Sequence, residues 1–511
     1  MVRSSNIWIA NFIVFVSSAC SLVIELVAGR MMAPYIGVSL YTWTSIIGVV
    51  LAGISLGNYL GGKIADRRAS HATLGILLLL SALLSLSILL TVNIMVDSLL
   101  PFTLPLPAKI VTLTALIFFL PSTVLGTISP VVVKLTLQNL AQTGNVVGTI
   151  YAFSALGSIV GTFATGFVLI AMMGTRSIIF WLSVVLLVMA LVFGDWRRAR
   201  VRYAVLTVAF IAFAIVLAEG GALESRFLKE TNYFSIRVNT REMDDGKTIK
   251  ELVLDHLIHS YSSVEDPTYL EYGYEKIYAE ITKYLAQKDP VLKTLFIGGG
   301  GYTYPRYIEA VYPGSTIDVI ELDPEVTRVA YEHLGLRPDT RIRTFNEDAR
   351  AFFIEKRADK KYSLVMGDAF NDLSVPYHLT SHEFNRSVKE VLDPDGYYMV
   401  NVIDNFQRGE FLRAYVNTLK LTFQHVYVFG LGRAWEHDSS STYIVLAGDA
   451  PFDLDEFQKV ATDNGREHLT AAIMPPELLE TRLNHGKVVY LTDDYVPVDN
   501  MMAPRFIERG Y

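Results

Sequence analysis

The glycine run Gly298 to Gly301 is the first stretch of this chain whose residue types and spacing could do chemistry. It follows Val291-Leu-Lys-Thr-Leu-Phe-Ile297, which reads as a buried strand, and precedes a helix pattern from about Tyr304 to Val311. Lacking Cβ atoms, such a turn lets a ligand approach the backbone closely at a helix N-terminus. A tight strand-to-helix turn is the plain alternative, and glycines alone do not exclude it. The next strand pattern, Thr316-Ile-Asp-Val-Ile-Glu321, ends in an acid. A carboxylate about twenty residues beyond the glycines can accept both ribose hydroxyls of a nucleotide. The spacing is not G-x-G-x-x-G, which counts against a nicotinamide dinucleotide. A third strand-like piece ends in Asn346-Glu-Asp-Ala349, where Asp348 could accept from an adenine amino group. Tyr362-Ser-Leu-Val-Met366 then leads to Asp368 at the end of a fourth strand. Ligands in open α/β sheets bind along that carboxyl edge.

Side chains so placed need a parallel sheet to hold them, and the alternating strand and helix patterns beyond residue 220 predict one. The expected division is 1–220 for an α-helical membrane bundle, 221–285 for a small β-hairpin and linker region, and 286–511 for an α/β Rossmann-like domain. Seven apolar runs fill the first part, at 7–28, 41–62, 72–95, 106–128, 145–171, 174–193 and 201–218. Each approaches the roughly 20 helical residues that cross a bilayer. Together with 51% apolar residues over 511, they predict an integral protein of the cell membrane. The first run ends at Gly29-Arg30 rather than at a small-residue cleavage site, so it reads as helix one and not a signal peptide. A net charge of −7 and a single cysteine, Cys20, exclude a basic nucleic-acid surface and a disulfide scaffold.

Small residues crowd the second run (Gly48, Gly53, Gly57, Gly61, Gly62) and the fifth (Gly148, Gly157, Gly161, Gly166), as close helix packing in lipid requires. Glu25 is ionisable inside the first run and needs a partner or a polar cavity. Arg30, about one and a half turns on, supplies the partner; a polar site for an amine or lipid headgroup, with Glu25 and Arg30 as substrate-binding residues, is the alternative. Lys63, Arg67, Arg68, Lys134, Arg197, Arg198, Arg200 and Arg202 fall in even-numbered loops, which the positive-inside rule places in the cytoplasm. Seven full crossings would then put the nucleotide domain outside, whereas a cytosolic nucleotide requires it inside. The cytoplasmic side is the expectation adopted here. The segment 104–140, broken by Pro121 and Pro130, is the suspect, as a helix plus a re-entrant piece or a hairpin.

With these motifs in order, the chain resembles the spermidine synthase (polyamine aminopropyltransferase) family, in its membrane-fused branch. In the first half the resemblance rests on Glu25-Leu-Val-Ala-Gly-Arg30, Met32-Ala-Pro-Tyr-Ile-Gly37, Gly61-Gly-Lys-Ile-Ala-Asp66 and Gly157-Ser-Ile-Val-Gly161. In the second half it rests on Ile297-Gly-Gly-Gly300, Ile320-Glu-Leu-Asp323, Glu347-Asp-Ala349, Asp368-Ala-Phe370, Val375-Pro-Tyr-His-Leu-Thr380 and Leu491-Thr-Asp-Asp-Tyr-Val-Pro497. The resemblance implies S-adenosylmethionine or its decarboxylated form as cosubstrate. The glycine turn would hold the donor's aminoacyl or aminopropyl end, Glu321 its ribose and Asp348 its adenine, with Asp323 and Ala349 also among the donor-binding residues. Asp368 would face the reacting centre, where a neutral amine displaces methylthioadenosine from a sulfonium. Tyr269 and Tyr272 lie where the family's gating segment contributes a tyrosine, Asp494 in a site-lining loop, and His378 close enough after Asp368 to act as a base or a substrate contact.

The departures bear on the acceptor. The family carries an acid directly after its three glycines, where this chain has Gly301. Asn371 stands where a second acid follows Asp368, with Asp372 one beyond, and His259 replaces a glutamine. These losses weaken recognition of a soluble diamine and favour a membrane-lipid headgroup as acceptor. His256, His259, His378 and His382 lack metal-ligand spacing, so no metal is expected. Two further readings stand beside the transferase. One is a polyamine transporter, since Gly61-Gly-Lys-Ile-Ala-Asp-Arg-Arg68 looks like a major-facilitator loop, though about seven helices make only half a carrier and would require a homodimer. The other is a nucleotide sensor without chemistry.

Overall fold

The computed structural model describes residues 7–99, 105–137, 142–243, 246–355, 361–369, 375–463 and 470–502. The chain forms two compact units that divide between Ser235 and Ile236. Asn371 lies outside the described residues.

In the first unit, six helical stretches among the described residues are long and apolar enough to cross a membrane. They begin with α1 (Ile7–Ile36), α2 (Leu40–Arg68) and α3 (His71–Leu99). The fourth stretch joins α4 (Leu106–Thr114), a π turn at Ala115–Phe119, α5 (Leu120–Gly126) and α6 (Ile128–Thr136). This is one helical run from Pro107 to Thr136 rather than a hairpin or a helix with a re-entrant piece. Its prolines are absorbed locally: the π turn precedes Pro121, and the Thr123 and Thr127 hydroxyls donate to the carbonyls of Phe119 and Val124, at 2.8 and 2.6 Å. The fifth stretch runs 51 residues, Thr143–Phe193, through α7 (Thr143–Ala164) and α8 (Ile170–Phe193). It thereby joins the apolar runs 145–171 and 174–193, with a non-helical backbone at Gly174 (φ 72°, ψ 163°) between them. The helix α9 (Arg200–Glu219) is the sixth.

The glycines sort into two sets. A Cβ on Gly53 would sit 2.8 Å from the Phe119 carbonyl oxygen, one on Gly61 2.7 Å from Thr127, and one on Gly161 2.6 Å from the Ala19 carbonyl oxygen. Gly57 and Gly157 press equally hard on Thr123 and Phe15. Gly48, Gly62, Gly148 and Gly166 meet nothing within 4 Å, so close packing does not account for them. The expected Glu25–Arg30 pair does not form, because the Arg30 guanidinium donates to the carbonyls of Tyr233 and Thr231, at 2.6 and 2.9 Å. The Glu230 carboxylate likewise accepts from the Thr175 N–H at 3.0 Å, and Arg176 donates to the Ala222 carbonyl at 2.7 Å. These bonds tie residues 222–233 to the helices and move the boundary from the expected 220/221 to 235/236.

The second unit opens with three antiparallel strands, β2 (Ser235–Glu242), β3 (Thr248–Leu254) and β4 (Leu257–Ser263), after the two-residue strand β1 (Lys229–Glu230). The helix α10 (Gly273–Leu285) leads into an eight-stranded sheet ordered β12-β10-β11-β9-β8-β5-β6-β7. Its parallel half comprises β5 (Lys293–Ile297), β6 (Thr316–Ile320), β7 (Arg343–Phe345), β8 (Tyr362–Gly367) and β9 (Leu392–Asn405). The remaining strands, β10 (His425–Leu431), β11 (Ser440–Gly448) and β12 (Ala471–Ile473), are antiparallel to their neighbours. Leu295, Phe296, Val319, Leu364, Val365, Met366, Met399 and Val400 are buried, so these strands are apolar on both faces, as parallel strands between helix layers must be. The chain leaves β5 toward β6 and β7, then returns to add β8 on β5's other side. That reversal opens a crevice at the carboxyl ends of β5 and β8.

Replacing Gly161 by leucine should lower the melting temperature of the detergent-solubilised protein, by the equivalent of about 1–3 kcal/mol for an overpacked contact. Gly148→Leu should leave it unchanged. Equal effects of the two would contradict the packing assignment.

Candidate active site

The register sets the site. Ile297 pairs with Ile320 and with Gly367, and Ile320 pairs with Phe345, so β5, β6, β7 and β8 end level. The next residue of each continues the ladder: Gly298 N donates to Ile320 O, Asp368 N to Ile297 O and Glu321 N to Phe345 O, at 2.8–2.9 Å. Gly298, Glu321, Asn346 and Asp368 therefore share one edge. A side chain on Gly298 (φ +100°) would collide with the Asp368 carbonyl, so only glycine permits this approach.

Glu321 is 6% exposed. One carboxylate oxygen accepts from the Gly299 and Gly300 N–H groups, at 2.9 and 3.1 Å, and the other from the Asp323 N–H, at 3.0 Å. Burial raises its pKa, while these three donors act to lower it. Asp323, expected among the donor-binding residues, uses its carboxylate to cap the helix α12 (Pro324–His333), accepting from Glu325 N at 3.0 Å. Asp348 accepts from Ala351 N at 3.1 Å and meets His378 Nε2 at 3.0 Å; Ala349 opens the short helix behind it. His378 thus sits against the acid expected at the adenine, and no hydrogen bond links it to Asp368.

Asp368 is held by two groups that residue patterns did not single out. Asn401, an amide within the apolar part of strand β9, donates to it at 2.7 Å, and the Tyr274 hydroxyl donates as well. Burial pushes the carboxyl up to about 6, the two bonds holding it below what burial alone would give. A base poised there exchanges protons near neutral pH. Tyr274 stands in a train of tyrosines, with ring centroids 5.1 Å from Tyr272 and 5.4 Å from Tyr278. Tyr272, the sequence choice, gives its hydroxyl to the Ile258 carbonyl at 2.7 Å, and Tyr269 bonds Glu271 beneath Lys247. The tyrosine that reaches Asp368 is thus two residues further along than expected. The spacing Tyr272-Gly-Tyr-Glu275 was the available signal, since two residues turn a side chain to a different helix face.

Gly301 has a physical cause. Its missing Cβ faces the Ser260 and Ser262 hydroxyls of β4, so an acid at this position would strike the antiparallel strands. His259 on the same strand is held neutral, pushed down to about 4 by burial and by His256. Asp494 is exposed at a turn, and Asp493 pairs with Arg350 at 3.0 Å and accepts from Ser381. Among the described residues no group of three or more His, Cys, Asp or Glu side chains is placed to hold a metal ion.

No family model matches the chain. Over 112 residues it is 34% identical to a polyamine aminopropyltransferase of Vibrio vulnificus, covering 21% of this chain and 37% of that one. A probable polyamine aminopropyl transferase of Bifidobacterium longum is 32% identical over 117 residues, 23% of this chain and 25% of that one. An eEF1A lysine and N-terminal methyltransferase homolog of Drosophila pseudoobscura pseudoobscura is 30% identical over 124 residues, 23% of this chain and 18% of that one. The chain thus spans well under half the length of these relatives. Among solved structures, a probable spermidine synthase from Corynebacterium glutamicum is similar with a TM-score of 0.45 and 19% identity, covering 50% of this chain and 93% of that one.

Two outcomes are expected at this edge. Glu321→Ala should weaken binding of methylthioadenosine by at least about tenfold in calorimetry, since hydrogen bonds to charged groups contribute about 1.5–3 kcal/mol; unchanged affinity would remove Glu321 from the site. The rate should fall as pH drops through about 6, and Asn401→Ala, which removes a bond favouring the carboxylate, should move that break upward.

Proposed function

We propose that the protein is a membrane-anchored transferase that moves an alkyl group from S-adenosylmethionine or decarboxylated S-adenosylmethionine onto an amine. The observation that carries this reading is Asp368. It is a half-buried carboxyl pushed up to about 6, at the edge where β5 and β8 end, beside a glycine turn propped by Glu321. The sequence similarity to polyamine aminopropyltransferases, confined to part of the chain, supports the same donor class.

The chemistry asks little of the protein. The acceptor nitrogen attacks the carbon beside the sulfonium, the C–S bond breaks with its electron pair going to sulfur, and the neutral thioether leaves. The new ammonium then gives its proton to Asp368. Orientation and one proton acceptor suffice, because the sulfonium is already an activated leaving group. The similarity to polyamine aminopropyltransferases favours the decarboxylated donor and aminopropyl transfer.

The acceptor is an amine, either free or carried on a lipid headgroup. The apolar helices of the first unit support the lipid source and an integral membrane location. A cytosolic donor places the transferase unit on the cytoplasmic side. Asp368→Asn should abolish turnover, read as methylthioadenosine or S-adenosylhomocysteine release, while leaving nucleoside binding within about threefold, since the substitution removes the proton acceptor and not the nucleoside contacts. Retained turnover would overturn the role given to Asp368.

A further inference from the structure

A second acid of this region lies on α10. Glu275 lies in the first turn of that helix, 3% exposed, next to the Tyr274 whose hydroxyl bonds Asp368. It accepts a hydrogen bond from the Tyr272 backbone N–H, as a helix-capping glutamate does. Its other oxygen, Oε2, is buried without a partner. Two further buried atoms near Asp368 share that condition: the Tyr278 hydroxyl oxygen, nearly one turn along α10 from Glu275, and Asn401 Oδ1, on the amide whose other end holds Asp368. Tyr278 is 1% exposed and Asn401 5%. Asp368 acts electrostatically on both Glu275 and Tyr278.

Buried polar atoms left unpaired cost about 1–3 kcal/mol each, and three on side chains that bond Asp368 or feel its charge point to a ligand group that satisfies them together. All three can act as acceptors. An alkylammonium carries three N–H donors and no acceptor, so it matches the set in number and in charge, whereas a hydroxyl offers one donor. We propose that Glu275, Tyr278 and Asn401 form an ammonium-binding subsite that grips the cationic end of a substrate while Asp368 faces the reacting nitrogen. The proposal rests on the transferase reading above and deepens it. It gives the amine-binding acid a new origin: the position after the glycines is blocked by Ser260 and Ser262, and α10 supplies the carboxyl instead. The ammonium belongs either to the donor's aminopropyl chain or to the far end of a polyamine or aminolipid acceptor.

The test compares wild type with Glu275→Gln, which keeps the capping acceptor and removes the charge. Binding of methylthioadenosine, which has no ammonium, is measured by calorimetry beside decarboxylated S-adenosylmethionine, and the KM of a diamine is measured by nucleoside release. The expected result is unchanged methylthioadenosine affinity with a roughly 10- to 100-fold loss for one ammonium-bearing ligand. Loss for the decarboxylated donor assigns the subsite to the donor, and a raised diamine KM with donor affinity intact assigns it to the acceptor. Unchanged values for both ammonium ligands overturn the proposal. Equal loss of methylthioadenosine binding also overturns it, since Glu275 would then act only as a helix cap. If wild type binds neither nucleoside, the transferase reading itself has failed, a result separable from failure at Glu275.

Discussion

The second unit depends on one close approach, that of Gly298 to the carbonyl of Asp368. Parallel strands β5 and β8 end level, so the first residue beyond each must share the space at the sheet edge. Any side chain on the first would separate the two ends and displace the acid from the glycine turn. The same turn exposes the N–H groups of Gly299 and Gly300, which Glu321 takes up from the next strand. The shape of the glycine turn and the position of the Asp368 carboxyl thus follow from a single steric condition.

Charge is the second constraint. Glu275 and Glu321 are buried and Asp368 is half-buried, and desolvation is the largest influence on each of the three carboxyls. It raises all three pKa values. Such a pocket disfavours an anionic ligand and favours one that brings positive charge with it, as a sulfonium with a terminal amine does. Tyrosine rings from Tyr261 to Tyr304 wall the region and keep its dielectric low.

Much of this was legible in the residues because it follows from local pattern. The glycine run between strand and helix, the acid ending β6 and the acid ending β8 all lie one residue past an apolar strand, and each is found there. What escaped reading depends on tertiary direction. Tyr272 and Tyr274 are equivalent in composition, and only the helix start at Gly273 decides which faces Asp368. Glu275 carries no motif that singles it out, yet the fold buries it. Asp323 reads as a ligand and serves as a cap, because Pro324 starts a helix directly after it. In the first unit, periodic glycines marked helix contacts, but Arg30 found carbonyl partners about two hundred residues away, which no spacing rule discloses. The halt at Gly174 inside the longest helical stretch was visible only as a boundary between two apolar runs.

The most direct test of the central claim is the nucleoside released by wild-type protein given decarboxylated S-adenosylmethionine and an amine acceptor, supplied as a diamine or as an amine-bearing lipid. The account predicts methylthioadenosine in one-to-one ratio with alkylated amine, at a rate that falls below about pH 6. Tight donor binding with no nucleoside released for any amine would contradict it.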